Sequence, residues 1–462
     1  VKGAGGVNAS DFTISGQLGA IANALNPSKP YPVELHLETA DLAVDISGTV
    51  DDFVEGEGLN LHIAADVAEL SNLLKLFDVE CPELGRTKFK ADITGNAGAP
   101  RAADIYATIS DGSTVELSAT GTVNDLVSRK GLDIGIKASI ANNPIIQMVL
   151  PDILSDVTNL EIKGSLRDQK EDYILEDITA YVSNDQGLEL TTDGSLNFGN
   201  LESDFPLKAM DLNLQVKSKT TEAAQRFLVD FLPEMGPISA TARLTGPVDR
   251  MALEDLDVVA GESLPLQMTS QGRIDWIPID DNSVSGIDLN VSVKAEQTQL
   301  LASAFDIPLP EIGTVSIDSR LLYSDEQLKI DNIDVRTSHD QGLVTGLTGN
   351  MDMNFKEDQK TPGNVNLELT VTAPNLGAAE PLLGTRFVPG MGPVQGYARI
   401  TGTPNVLSLE NILVTAGEPT STFTKAYGRV DRIALGEEQP VSGLNIFGLL
   451  KAEETADYAL LM

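Results

Sequence analysis

The chain has 462 residues, more than one hydrophobic core usually organises, so several domains or a repeat array are expected. Lys and Arg number 32 against 68 Asp and Glu, and the formal net charge of −36 repels phosphate backbones, which argues strongly against nucleic-acid binding. Aromatic residues make up only 5% of the chain, so its cores must be built from Val, Ile, Leu and Ala.

The start of the chain carries no targeting segment of its own. Val1-Lys2-Gly3 is neither a start methionine nor a signal peptide, so we expect a fragment of a longer protein that supplies any signal or anchor. No run reaches the ~18 apolar residues of a membrane-spanning helix. The single cysteine, Cys81, excludes an internal disulfide.

Residues 1–65 are interpreted as the C-terminal part of a preceding β repeat. The stretch Val33-Glu34-Leu35-His36-Leu37 alternates apolar and polar side chains, which is typical of a strand with one dry and one wet face.

The rest of the chain repeats itself. Ala242-Arg243-Leu244-Thr245-Gly246 is matched by Ala398-Arg399-Ile400-Thr401-Gly402 at an offset of 156 residues. Turns that begin Pro82, Pro151, Pro233, Pro310 and Pro389 divide that offset into units of about 78 residues. This predicts five repeats, at 66–141, 142–217, 218–295, 296–373 and 374–443, with a C-terminal tail or cap at 444–462.

Each repeat is predicted to begin with a short helix and to continue with three or four strands. The helical patterns cover Asp66 to Phe77, Asn143 to Leu150, Thr220 to Phe231, Glu296 to Phe305 and Asn375 to Leu383. Alternating aliphatic side chains mark one strand of each of four repeats and predict a single apolar face. They are Leu132, Ile134, Ile136, Leu212, Leu214, Val216, Ile287, Leu289, Val291, Val293, Val365, Leu367, Leu369 and Val371.

Residues that could perform chemistry are few. His36, His62 and His339 lie far apart in the chain and at no metal-ligand spacing. Asp185, Asp193 and Asp340 lie near glycines but lack the density of a calcium loop, so they are interpreted as turn residues. Glu262 and Glu418 each follow a glycine at a strand end and are interpreted in the same way. We therefore predict no enzyme, no catalytic residue, no metal and no cofactor.

The predicted fold class is mainly β: tandem repeats of antiparallel strands with one short helix per repeat, forming an elongated curled β-groove. The residues alone are compatible with two arrangements of the apolar face. It is either buried against a second sheet or exposed as an apolar trough.

Several short motifs resemble the AsmA-like family of bacterial envelope proteins, related to TamB and to bridge-like lipid-transfer proteins. They are the helix and turn of residues 70–85, the strand of residues 88–95 with similar strands at 238–246 and 394–402, and the strand segments 46–50 and 117–123. The resemblance implies a periplasmic location in a Gram-negative bacterium and an inner-membrane anchor outside this chain. It also implies phospholipid movement between inner and outer membranes, without catalytic residues.

The leading hypothesis is a periplasmic lipid-transfer or lipid-binding β-groove whose partners are phospholipids or other acyl-chain lipids, with envelope proteins as possible further partners. The alternative is a structural or adhesive envelope rod with a closed apolar interior. A β-helical enzyme fits poorly, because its coils of roughly 20–25 residues carry no helix in each repeat.

Overall fold

A computed structural model shows a chain that is mainly β, with only short helices. It describes residues 2–7, 10–20, 29–75, 83–149, 156–170, 172–199, 207–221, 235–277, 283–324, 326–355, 363–383, 391–434 and 441–452. These residues divide into two compact units. Unit 1 comprises residues 1–216 and 244–248, and unit 2 comprises residues 217–243 and 249–462.

The first thirteen strands run in chain order as follows. They are β1 (Lys2–Val7), β2 (Ser10–Leu18), β3 (Tyr31–Glu38), β4 (Leu42–Asp52), β5 (Glu57–Val67), β6 (Arg86–Asn96), β7 (Ala99–Ser110), β8 (Val115–Asp125), β9 (Lys130–Ala141), β10 (Asn159–Gln169), β11 (Asp172–Ser183), β12 (Glu189–Phe198) and β13 (Leu207–Ser218).

Twelve more strands follow. They are β14 (Ile238–Pro247), β15 (Met251–Ala260), β16 (Leu266–Ile277), β17 (Ser283–Ala295), β18 (Thr314–Ser324), β19 (Gln327–Ser338), β20 (Val344–Asn354), β21 (Val365–Ala373), β22 (Val394–Thr403), β23 (Val406–Gly417), β24 (Phe423–Ala434) and β25 (Val441–Lys451).

Each unit is an antiparallel sheet in which chain neighbours pair. In unit 1 the pairing is consecutive from β1 to β12, and Asn213 of β13 donates to Asp193 of β12 over 2.9 Å. In unit 2 it is consecutive from β15 to β25. Both sheets are open and curled, and in the described residues neither closes into a barrel. The predicted fold class is confirmed.

In the described residues, four short α-helices and one 3₁₀ turn precede groups of strands. They are α1 (Leu70–Lys75), α2 (Ile145–Val149), α3 (Thr298–Phe305), the turn Gly377–Ala379 and α4 (Glu380–Leu383). Four strands follow each helix: β6–β9 after α1, β10–β13 after α2, β18–β21 after α3 and β22–β25 after α4. We call each such group, together with β14–β17, a quartet. Most of the helix predicted at Thr220 to Phe231 lies outside the described residues, and the repeat boundaries stay a prediction.

Helices α1 and α3 are each fixed to the segment just before the following strand by a polar side chain near the helix start. In α3, the buried Thr298 hydroxyl donates to Pro310 O (2.8 Å) and accepts from the Ile312 amide (3.1 Å). Before α1, the Glu69 carboxylate accepts from the amides of Leu84 (3.0 Å) and Gly85 (2.9 Å). Burial raises the pKa of Glu69, but the hydrogen bonds from Ser71, Leu84 and Gly85 outweigh burial and hold the pKa below its usual value.

The best-packed core lies at the strand ends next to the helices. Around α3, Leu301 packs with Val293 and Ala295 at the end of β17 and with Val315 at the start of β18. Around the 3₁₀ turn, Ala378 and Ala379 pack in a cluster that includes Ala373 and Val394, again at strand ends. At these two places the helix or turn therefore buries one end of the adjoining strands and leaves the middle of the strands outside the cluster.

A bulge and a glycine recur in every quartet. The second strand carries one Asp or Asn whose φ lies between 46° and 54°: Asp104, Asp177, Asp255, Asn332 and Asn411. The third strand carries a glycine 17 residues later, with φ between 145° and 159°: Gly121, Gly194, Gly272, Gly349 and Gly428. A Cβ on any of these glycines would stand 1.9–2.1 Å from a carbonyl oxygen of the fourth strand. Bulges bend and twist a sheet, so the bulge and the glycine together curl each quartet at the same position along its strands.

Two sequence interpretations need correction. Asp193 lies inside β12 and not in a turn, because Gly194 after it serves the close approach of β13 to β12. Residues 444–451, assigned to the tail or cap, belong to β25. The strand was missed because apolar side chains occupy both of its faces, which removes the alternation that marks the other strands.

The other predicted turn residues lie in or beside turns. Asp185 and Asp340 lie in the turns before β12 and β20, Glu262 lies in the turn after β15, and Glu418 begins the turn after β23. None of the described helices is long and apolar enough to span a membrane.

Candidate functional site

The candidate site is the apolar face that the strand register assembles in each unit. In unit 1, Ile134 of β9 stands opposite Leu166 of β10, and Ile140 stands opposite Leu160. Directly opposed residues of antiparallel strands share a face, so the alternating aliphatics of neighbouring strands merge into one surface. The same pairing continues through the sheet, for example from Leu117 of β8 to Ala138 of β9.

Unit 2 repeats this arrangement with its own strands. Leu289 of β17 faces Leu321 of β18, and Val293 faces Ile317. Further along, Leu369 of β21 lies opposite Leu347 of β20. Aliphatic side chains from many strands therefore cover one face of this sheet as well.

The structure places every predicted lining residue on these faces. In unit 1 they are Leu132, Ile134, Ile136, Leu212, Leu214 and Val216, and in unit 2 they are Ile287, Leu289, Val291, Val293, Val365, Leu367, Leu369 and Val371. Val293 and Val365 are buried, with 8% and 4% of their surface exposed, and the others are half-buried.

Half-burial of aliphatic side chains separates the two arrangements that the sequence left open. In a closed sandwich the inner face is buried by a second sheet about 10 Å away. Here most of the aliphatic side chains of the described strands keep part of their surface exposed, so in that part of the chain neither apolar face is fully buried as the inner face of a sandwich would be. The middle of each strand presents Leu, Ile and Val to an open groove.

The opposite face of both sheets is polar. Acidic and basic side chains pair across the junction between one quartet and the next, as in Asp288 of β17 with Arg320 of β18, joined by two hydrogen bonds of 2.7 Å. The Arg320 guanidinium holds the pKa of Asp288 below its usual value. Asp133 and Arg167 pair in the same way over 3.2 Å. These pairs are exposed, so they mark the solvent side and add little stability.

A cavity of about 940 Å³ lies on this polar face, among the strands β7–β12 of unit 1. Its side chains include Lys137, Lys163, Glu116, Thr120 and Asp193. Ammonium, carboxylate and hydroxyl groups would have to lose their bound water before an acyl chain could be buried there, and this loss costs free energy. The apolar face is therefore the better candidate for an apolar ligand, although it is open and not an enclosed pocket.

The histidines show no catalytic or metal-binding arrangement. Nδ1 of His36 lies 2.6 Å from Asp45 Oδ1, and Nδ1 of His62 lies 2.6 Å from Asp92 Oδ1, both on the exposed polar face. His339 lies in the turn before β20, where it accepts from the Gln341 amide over 3.2 Å. Within the described ranges no three His, Cys, Asp or Glu side chains come close enough to hold a metal ion.

Sequence reasoning missed the bulge-and-glycine pairs that curl the groove. A signal was present for the glycines, because each of them stands two positions before an apolar residue, as in Gly121-Thr122-Val123. These glycines lie on the apolar face, where Gly121 stands opposite Ile134. They shape the surface on which a ligand would lie.

No family model, no curated protein and no solved structure matches this chain.

Proposed function

We propose that the apolar faces hold the hydrocarbon chains of lipids, and that the protein is a lipid-transfer or lipid-binding groove of the bacterial envelope. Headgroups stay in water beyond the groove while acyl chains lie along the aliphatic strands. The observation that supports this most directly is the uncovered row of half-buried Leu, Ile and Val in both units. The resemblance to the AsmA-like family supports phospholipid as the lipid and the periplasm as the place.

The energetics favour weak and unspecific retention of a lipid. Full burial of a methylene contributes roughly 0.8 kcal/mol, and an open groove that covers about half of each methylene contributes roughly 0.4 kcal/mol. An acyl chain of about 16 carbons then gains roughly 6 kcal/mol of binding free energy. This gain is close to the cost of about 4 kcal/mol or more for the translational and rotational freedom that the lipid loses on binding. Such a balance lets a lipid exchange or slide, which suits transfer better than storage.

The surface chemistry agrees with an aliphatic ligand. Aromatic residues make up only 5% of the chain, so the groove is lined mainly by aliphatic side chains and offers little surface on which a ring could stack. The proposal therefore assigns recognition to the acyl chain. A membrane anchor beyond this chain and envelope protein partners belong to the same proposal.

The experiment places charge on the groove. Leu214, Leu289 and Leu369 are changed together to Asp, and the purified chain is examined by native mass spectrometry and by lipid extraction. We expect phospholipid bound to the wild type and a loss of most of it in the variant, because a carboxylate desolvated by an acyl chain is costly.

The matched control carries the same three charges on the same strands but on the polar face: Asn213→Asp, Asn290→Asp and Thr370→Asp. These side chains are exposed neighbours of the three leucines, so the control should keep its lipid. A folded leucine variant with the full lipid load of the wild type would refute the groove. A wild type that carries no lipid would favour the structural rod.

A further inference from the structure

The apolar face of each unit ends at two different rims. One set of strand ends lies on the side of the helices, and we call it the helix rim. The other set lies at turns such as residues 52–57 and 324–327, and we call it the hairpin rim. Around α3 and around the 3₁₀ turn, apolar clusters bury the strand ends of the helix rim. The hairpin rim has a different composition.

Aromatic side chains of the apolar face gather at the hairpin rim of unit 1. Tyr31 begins β3 and stands opposite Val50, and Phe53 packs on the Tyr31 ring with the ring centroids 5.1 Å apart. Tyr173 near the start of β11 stands opposite Phe198 at the end of β12. Rings therefore border the aliphatic face of this unit along the hairpin rim.

Unit 2 has the same arrangement at its own hairpin rim. Tyr323 near the end of β18 stands opposite Ile287 of the apolar face. Phe355 directly follows β20, two residues beyond Met353. The remaining tyrosines of the described ranges lie on the polar face: Tyr106, Tyr181, Tyr397 and Tyr427. Phe12 and Phe89 lie on the apolar face away from this rim, and neither carries a polar group.

Charged residues also enter the apolar face at the hairpin rim. Asp125 stands opposite Lys130 at the end of the β8–β9 pair. Asp168 stands opposite Tyr173 and accepts from the Gly131 amide over 3.0 Å. Two positions closer to the helix rim, the paired residues of the same strands are aliphatic. The face thus changes from aliphatic to aromatic and charged at this rim.

The rings do more than complete a core at the strand ends. Tyr31 is 5% exposed and its hydroxyl donates to Gly19 O over 2.8 Å, so it has a structural role. Phe53 and Phe355, in contrast, keep 54% and 57% of their surface exposed. Tyrosine joins an apolar ring to a polar hydroxyl, and in bilayers it concentrates where headgroups meet hydrocarbon. The hairpin rim has the chemistry of that level.

We propose that the hairpin rim holds the headgroup end of a bound lipid, and that the acyl chain runs from there along the strands towards the helix rim. This inference rests on the proposed lipid groove and adds an orientation to it. A strand of 11 residues such as β18 is roughly 36 Å long, whereas the hydrocarbon of one leaflet is roughly 15 Å thick. A chain that starts beside Tyr323 therefore covers the half-buried middle of the strand and ends before the buried Val315.

Quenching of tryptophan fluorescence by brominated lipid tests the orientation. The only tryptophan, Trp276, is changed to Phe, and one new tryptophan is placed at the rim, Phe355→Trp, or deeper on the same strand and face, Met351→Trp. The two positions are four residues apart, which is roughly 13 Å along a strand. Each variant is loaded from vesicles of phosphatidylcholine that carries bromine either near the headgroup or near the end of the acyl chain.

The two probes should respond in opposite order. At position 355 we expect the larger loss of fluorescence from the lipid brominated near its headgroup, and at position 351 from the lipid brominated near its chain end. If Met351→Trp does not fold, Ile330→Trp replaces it, because Ile330 stands directly opposite Met351 in β19.

Three results overturn the proposed orientation. The reverse order at the two positions places the headgroup at the helix rim, and the same order at both positions shows that the lipid has no fixed direction. Lipid that binds without quenching either probe also overturns the orientation, while the lipid groove itself stands. A wild type that takes up no lipid from the vesicles removes both proposals.

Discussion

The recurring glycines offer the sharpest test of how the sheet is curled. Gly272 in β16 has a φ of +151°, and a Cβ built on it would lie 2.0 Å from Asp288 O and 3.0 Å from Leu289 Cα in β17. Both contacts are with backbone, so a side chain cannot move out of the way and the two strands must separate. Overpacking of this kind costs about 1–3 kcal/mol, and the φ adds about 1–2 kcal/mol for any residue other than glycine.

We therefore expect Gly272→Ala to lower stability by about 2–5 kcal/mol. In a unit of this size each kcal/mol shifts the melting temperature by about 2–4 °C, so calorimetry should show a fall of about 4–20 °C. Gly135→Ala is the control, because a Cβ there meets only ordinary contacts of 3.6 and 3.7 Å with Thr120. If Gly272→Ala melts with the wild type, the strands do not approach as described and the account of the curl is wrong.

Three further predictions concern the polar contacts. Thr298→Val leaves the Ile312 amide and Pro310 O without their partner, so we expect a loss of about 1–3 kcal/mol by denaturant unfolding, whereas the exposed Thr314→Val should change little. Asp45 accepts a hydrogen bond from His36 and thereby raises the pKa of His36. The stabilisation of the folded state by this contact is therefore present below pH 6.5 and is lost as the pH rises through the raised pKa. Asp45→Asn should lower the pKa of His36 in an NMR titration, and an unchanged pKa would contradict the pairing. Arg320→Met should change the free energy of unfolding by less than about 1 kcal/mol, because both partners are nearly half exposed, and a larger loss would show that these ion pairs hold the sheet together.

Much of the fold could be predicted because side-chain alternation follows directly from strand geometry. Leu289 and Asn290 fall on opposite faces in the structure as their positions in the sequence require. The helix before β18 was likewise predictable, because its apolar residues recur at helical spacing before a Pro-Glu turn. Periodicity thus gave both the element type and the face that each residue occupies.

The curl of the sheet was not predictable in the same way. Asp193-Gly194 has the composition of a hairpin turn, yet the glycine is needed for a close strand approach inside a sheet. The bulge at Asp177 leaves no compositional trace, since Asp is common in any polar segment. Strand β25 was missed because Phe447 and Leu449 break the alternation.

The central claim is that an acyl chain reaches the aliphatic face of the strands. It is tested most directly by replacing Leu289 with photoreactive p-benzoylphenylalanine in cells and, separately, replacing its neighbour Asn290 on the polar face. We predict lipid cross-linked from position 289 and none from position 290 after irradiation. Equal labelling at the two positions, or no lipid at position 289, would contradict the account.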